Sequence, residues 1–130
     1  MLFRSLKGHE NLAGRALFTS SRPGEPSAAF VKENDPKGIK NERIRQLVRN
    51  GFVVRTRADA DTKEARTGDV STRDAALASG AQWVSTDYPT ISDNRFGTPY
   101  FAAIPGGTVA RCNPINAPAG CVSSLLERTR

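Results

Sequence analysis

Hydrophobic and polar residues alternate most clearly in the stretch FVVRTRADAD, residues 52–61. Read as a β-strand, the stretch has two faces, because successive side chains point to opposite sides. The almost wholly apolar face takes Phe52, Val54, Thr56, Ala58 and Ala60. The opposite face takes Val53, Arg55, Arg57, Asp59 and Asp61. A solvated edge strand alternates in the same way, so the pattern alone leaves open a wet surface or a polar binding site.

Further strands are predicted from short apolar runs that end at turn residues. The predicted strand units cover residues 15–19, 28–33, 52–58 and 82–86, within one domain over residues 1–130. Another strand is expected over residues 100–104 in an otherwise irregular tail of residues 90–130.

Two helices are predicted, over residues 41–50 and 71–79. In the first, Ile44, Leu47 and Val48 recur at i, i+3 and i+4 and form one apolar stripe. The second is expected to begin with Ser71 as its N-cap. Residues 62–70 are predicted to be a loop, and residues 122–130 a short helix. A strand, a helix and a strand in sequence indicate a parallel βαβ unit and hence the α/β class.

Polar or charged side chains lie at the carboxyl ends of three predicted strands: Lys32, then Arg55 with Arg57, then Asp87 with Tyr88. Parallel α/β folds bind ligands at the carboxyl ends of their strands. The three cations suit the charge on phosphate oxygens. Asp87 can accept hydrogen bonds from ligand hydroxyls, and Tyr88 offers an apolar face to a sugar or inositol ring. This pattern predicts a site for a phosphate ester.

Asp59 and Asp61 admit two interpretations. Their oxygens could bind Ca2+ or Mg2+, or they could form salt bridges to Arg55 or Arg57. No general base or acid stands out, because the sole histidine, His9, lies in a polar stretch typical of a surface residue. The sequence therefore predicts ligand binding and assigns no catalytic residue.

The net charge of +6 is spread along the chain without aromatic interleaving, which does not support a nucleic-acid partner. Attraction to anionic phosphate groups or to an anionic membrane surface explains the charge equally well. Apolar runs are far shorter than the roughly 18 residues of a membrane span. The first residues lack the features of a signal peptide.

Two cysteines, Cys112 and Cys121, flank a short loop with two prolines. A disulfide that closes this loop would indicate an oxidising compartment. The alternative is two unpaired thiols.

The segments FVKEND, LVRNGFVVRTRADADTKEAR, DAALASGAQWVSTDYP and ARCNPINAP resemble the carboxyl-terminal half of the calcium-dependent phosphoinositide phospholipase C family. The resemblance covers roughly residues 14–121. It implies the C-terminal half of an irregular (β/α)8 TIM-type barrel, with about four parallel strands and few helices. A complete barrel takes about 250 residues.

Members of that family cleave phosphoinositide lipids with two histidines and Ca2+, through attack of an inositol hydroxyl on phosphorus. The resemblance implies that the histidines and most calcium ligands lie outside this chain, which would show little activity alone. It implies a substrate wall formed by Lys32, Arg55, Arg57, Asp87 and Tyr88. It also implies secretion, which agrees with a disulfide.

The expected partner is the headgroup of a phosphoinositide or another phosphodiester lipid. Half a barrel leaves open sheet edges, so the missing half or a second copy is a further expected partner. Two alternatives are a non-catalytic basic module that binds anionic lipid or phosphosugar, and a remnant of a glycerophosphodiester phosphodiesterase, which shares the superfamily fold.

Overall fold

The structure is a computed structural model that describes Gly8 and residues 21–126. The strands are β1 (Phe30–Lys32), β2 (Val53–Arg57) and β3 (Trp83–Ser85). The helices are α1 (Ile39–Arg49), α2 (Lys63–Thr67) and α3 (Ser71–Ala78), with single 3-10 turns at Ile91–Asp93 and Ser123–Leu125. In this described part, no helix is long and apolar enough to cross a membrane. The strand predicted over residues 15–19 lies outside the described residues.

The three strands form one parallel sheet in the order β1-β2-β3. The register aligns Lys32 with Arg55 and Arg55 with Trp83, and it aligns Arg57 with Ser85. Each strand lies within a range that the sequence predicts. The chain is thus a mixed α/β protein with a parallel sheet and few helices.

Helix α1 covers one face of the sheet. Its apolar stripe is buried against the strands in a cluster of Val31, Ile44, Leu47, Val48 and Val54. Along β2 the buried and half-buried positions alternate, as the sequence pattern predicts. Arg55 and Arg57 therefore lie on the face opposite α1.

A second cluster secures the region that follows the sheet. Ala65, Tyr88 and Tyr100 are buried together, with Val70 packed against them. Farther along, the predicted disulfide between Cys112 and Cys121 is present, with 5.9 Å between the two Cα atoms.

Residues 62–70 were expected to be a loop, but they contain helix α2. The reason is the burial of Glu64 and Ala65. The Glu64 carboxylate accepts hydrogen bonds from the Ala60 N–H at 3.0 Å and from the Thr72 hydroxyl at 3.1 Å. These contacts stabilise one short helical turn, which hydrophobic periodicity in the sequence does not predict.

Two smaller predictions are also wrong, and a third is confirmed only in part. Ser71 is the first residue of α3 and not its N-cap, and its N–H is bonded by the Asp69 carboxylate at 2.9 Å. Residues 100–104 form no strand and are joined to the sheet region by one backbone bond, from the Ala102 N–H to the Tyr88 carbonyl. In the tail, the expected helix is reduced to the 3-10 turn at Ser123–Leu125, and residues 127–130 lie outside the described part.

Candidate anion-binding site

Three cations lie on the face of the sheet opposite α1, at the carboxyl ends of the strands. Lys32 is the last residue of β1 and is in register with Arg55 of β2. Arg57, two residues farther on, ends β2 and points to the same side. Parallel pairing thus brings together charges that are far apart in the sequence.

Arg55 is held in place by neutral groups. One guanidinium nitrogen donates to Asn34 Oδ1 at 2.8 Å, and the other terminal nitrogen donates to Ser85 Oγ at 2.7 Å. The Ser85 hydroxyl in turn donates to the Thr56 carbonyl at 3.3 Å. Because neither Arg55 partner is charged, the side chain is oriented while its positive charge stays available to a ligand.

Arg57 is half-buried, and its Nε atom is buried without a hydrogen-bond partner in the described part of the chain. Buried polar groups are nearly always paired. A guanidinium offers five N–H donors in a geometry that matches phosphate or carboxylate. An anionic ligand at this position would supply the missing acceptor.

The acidic residues near the end of β1 are paired with helix α1 instead. Asp35 lies 3.4 Å from the Lys40 ammonium, and Glu33 lies 3.9 Å from Lys40 and 3.8 Å from Arg43. A hydrogen bond from the Lys37 backbone N–H, together with the nearby Lys40, lowers the pKa of Asp35. These carboxylates therefore do not neutralise the site.

Salt bridges from Asp59 or Asp61 to Arg55 or Arg57, one interpretation of the sequence, do not form among the described residues. Asp59 is instead buried, with 4% of its surface exposed. Its Oδ1 accepts the Asp87 N–H at 3.0 Å, and its Oδ2 accepts the Tyr100 hydroxyl at 3.1 Å and the Thr86 hydroxyl. Burial and the charge of Asp59 raise the pKa of Tyr100, so that the phenol stays protonated as a donor.

The two aspartates offer little to a metal ion as they are placed. Both Asp59 oxygens face protein donors, and Asp61 is exposed with its backbone at φ 55°. Within residues 21–126, no group of three or more His, Cys, Asp or Glu side chains could hold an ion. Calcium takes six to eight oxygen ligands. Asp59 and Asp61 thus do not fit a calcium site built from the described residues alone, and their metal role stays a prediction for a site completed from elsewhere.

The other two predicted site residues follow β3 and differ in exposure. The Asp87 side chain is exposed, while its N–H is bonded to Asp59. Tyr88 is only 7% exposed, and its ring meets Tyr100 edge to face with 5.9 Å between centroids. Most of the Tyr88 ring is core, so only a small part of it is open to a ligand.

A cavity of about 630 Å³ lies along the outer edge of β3, between α3 and residues 102–114. Its lining includes Trp83, Val84 and Arg111, but none of the five predicted substrate-binding residues. The cavity and the three cations are therefore separate features.

Sequence reasoning missed the residues that hold the site in place. Ser85 lies opposite Arg57 in register and bonds Arg55, a signal that exists only once the register is known. Thr86 and Tyr100 bond Asp59, and Tyr100 comes from a segment without periodicity. No sequence signal marks Tyr100 as a partner of a residue 41 positions away.

A parallel α/β sheet with cations at the carboxyl ends of its strands belongs to the class of folds that bind ligands at that edge. The family model described as "Phosphoinositide phospholipase C, Ca2+-dependent" matches residues 3–114. The chain therefore belongs to this calcium-dependent phosphoinositide phospholipase C family, and its function is related to that of phospholipase C. Searches of curated proteins and of solved structures found no match.

Proposed function

We propose that this chain forms the phosphate- and headgroup-binding wall of a phosphoinositide-type phosphodiesterase, as the carboxyl-terminal half of an irregular (β/α)8 barrel. The observation that carries the proposal is the cluster of Lys32, Arg55 and Arg57. These cations share one face at the strand ends, and no salt bridge within the described residues neutralises them. Family membership supplies the class of ligand.

Each side chain has a distinct role in this proposal. Lys32 acts as a point charge, whereas the planar guanidinium groups of Arg55 and Arg57 pair with phosphate oxygens. The exposed carboxylate of Asp87 accepts hydrogen bonds from headgroup hydroxyls, and the exposed part of Tyr88 borders the ring. Calcium, on which the family depends, would be held mainly by residues outside this chain.

Proton transfer is the part of the reaction that this chain does not supply. The sequence has one histidine, whereas general acid–base cleavage of a phosphodiester needs a group to accept a proton and a group to give one. Positioned cations stabilise charge in the transition state but move no proton. We therefore expect the 130-residue chain alone to show little hydrolysis.

The setting proposed for this activity is extracellular, at an anionic membrane surface. The disulfide between Cys112 and Cys121 favours an oxidising compartment. The net charge of +6 favours attraction to anionic lipid headgroups.

A second candidate function is a non-catalytic basic module that binds anionic lipid or phosphosugar. The Arg57 Nε, which has no hydrogen-bond partner among the described residues, favours it equally, because an acceptor from a bound ligand would satisfy that atom without any reaction. The remnant of a glycerophosphodiester phosphodiesterase remains a third proposal, which differs in the headgroup.

Two assays on the purified chain separate these functions. The first measures hydrolysis of phosphatidylinositol vesicles with and without calcium, and we expect binding without appreciable turnover. Robust calcium-stimulated hydrolysis would contradict the proposed division of labour. The second compares inositol 1-phosphate and glycerol 3-phosphate as competitors for vesicle binding. We expect inositol 1-phosphate to compete better, and stronger competition by glycerol 3-phosphate would favour the glycerophosphodiesterase reading.

A further inference from the structure

Asp59 joins three parts of the chain that are distant in sequence. Its own segment continues β2, and its carboxylate bonds Thr86 and Asp87, which follow β3. It also bonds Tyr100, which lies 41 residues away. Burying a charged carboxylate is costly unless hydrogen bonds compensate it, and here a hydroxyl or N–H from each segment does so.

The segment after β3 depends on this one carboxylate. The Tyr88 N–H donates to the Thr86 hydroxyl oxygen at 2.9 Å, and that hydroxyl donates onward to Asp59 Oδ2. The Asp87 N–H donates directly to Asp59 Oδ1 at 3.0 Å. All of residues 86–88 are thereby bonded, directly or through one hydroxyl, to Asp59.

We propose that Asp59 is a positioning residue of the anion-binding site, which fixes residues 86–88 and with them the predicted headgroup residue Asp87 at the carboxyl end of β3. The expected effect of Asp59 on ligand binding rests on the proposed function. It assigns to Asp59 a role other than metal ligand or salt-bridge partner.

The carboxylate suits this role better than an amide would. Asp59 Oδ2 accepts from two hydroxyl groups, and an ionised carboxylate is an acceptor at both oxygens. An asparagine keeps one acceptor but presents an NH2 donor on its other side. The Thr86 hydroxyl, which already accepts from Tyr88, would then lose its acceptor.

The test compares Asp59→Asn with the matched control Asp74→Asn, which makes the same change at an exposed residue of α3. Amide hydrogen exchange is measured at Asp87 and Tyr88, with buried amides of α1 as the internal reference. Affinity for inositol 1-phosphate is measured on the same samples. We expect D59N to speed exchange at Asp87 and Tyr88 and to weaken binding about tenfold, as for one lost hydrogen bond to a charged group. We expect D74N to change neither quantity.

A second variant keeps the inference testable if D59N fails to fold. Thr86→Val removes the hydroxyl that links Tyr88 to Asp59 and leaves the carboxylate in place. It should speed exchange at Tyr88 and weaken inositol 1-phosphate binding without unfolding α1. A purely structural residue would lower stability without changing the affinity of the folded protein.

Each outcome bears on a separate claim. Unchanged exchange at Asp87 and Tyr88 in folded D59N, or in T86V if D59N is unfolded, would overturn the inference whatever the ligand does. Faster exchange with unchanged affinity would overturn the positioning of the ligand site. If the wild-type chain binds no inositol 1-phosphate while the variants still free these amides, the anchoring role of Asp59 is supported and the proposed function fails.

Discussion

Thr56 and Arg57 are adjacent on β2, and each has a buried polar atom without a hydrogen-bond partner in the described residues. Their meanings differ because they point to opposite faces of the sheet. The Thr56 hydroxyl lies on the face covered by α1 and is fully buried. The Arg57 Nε lies on the opposite face, on the same side of β2 as Arg55. The buried Thr56 hydroxyl therefore lowers the stability of the fold. The Arg57 Nε is instead a hydrogen-bond donor that belongs to the candidate binding site.

Thr56→Val should therefore stabilise the protein. The valine keeps the shape of the side chain and removes a buried hydroxyl that has no partner, so the free energy of unfolding should rise by about 1 kcal/mol. Urea unfolding measures the change. The reverse substitution at the neighbouring buried position, Val54→Thr, is the matched control and should cost about 1–3 kcal/mol. A loss of stability in T56V would show that its hydroxyl has a partner in solution.

Gly80, which follows α3, allows residues 113–115 to pack closely against the backbone. Its backbone is left-handed at φ 81°, and a Cβ atom there would overlap the Ile115 side chain. The Asn113 side chain also donates to the Gly80 carbonyl at 2.8 Å. Residues 113–115 can pack here only because residue 80 lacks a side chain.

Gly80→Ala should consequently destabilise the protein more than Gly51→Ala does. Gly51 has a similar φ of 85° but has open space around it, so alanine there incurs only the backbone strain of about 1–2 kcal/mol. At Gly80, steric overlap should add about 1–3 kcal/mol. Urea unfolding of the two variants gives the difference. Equal losses would mean that Ile115 does not pack against Gly80 in solution.

The elements that the sequence predicts well are those whose signal is periodic. The i, i+3, i+4 stripe of Ile44, Leu47 and Val48 locates α1, and strict alternation locates β2. Helix α2 escapes such reasoning because it is fixed by the side chain of Glu64.

The candidate site divides in the same way. Alternation along β2 predicts that Arg55 and Arg57 share a face, but the partners of Asp59 depend on long-range packing of Tyr100. The residue type alone indicates that Asp59 is polar and a candidate for function. Only the fold shows whether Asp59 accepts hydrogen bonds from neighbouring segments, binds a metal or forms an ion pair.

Among the described residues, helix α1 covers one face of the parallel sheet. Parallel sheets are usually covered on both faces. Here Trp83 is 56% exposed on the second face, where its ring packs against Phe30 with 5.4 Å between centroids. This apolar pair lies next to the cations of the candidate site, because Arg55 is in register with Trp83. An exposed inner face of this kind is what the proposed half-barrel would have.

If the cations at the ends of β1 and β2 bind phosphate, removal of the Arg57 guanidinium should weaken ligand binding. Arg57→Met removes the guanidinium and keeps an apolar stem. Arg49→Met on α1 is matched in charge, but its guanidinium is already paired with Glu42 at 3.1 Å. Isothermal titration of inositol 1-phosphate into the wild-type chain and both variants compares their affinities. We expect at least about tenfold weaker binding by R57M, as for a lost charge-assisted pair, and nearly wild-type binding by R49M. Equal affinities of wild type, R57M and R49M would contradict this expectation.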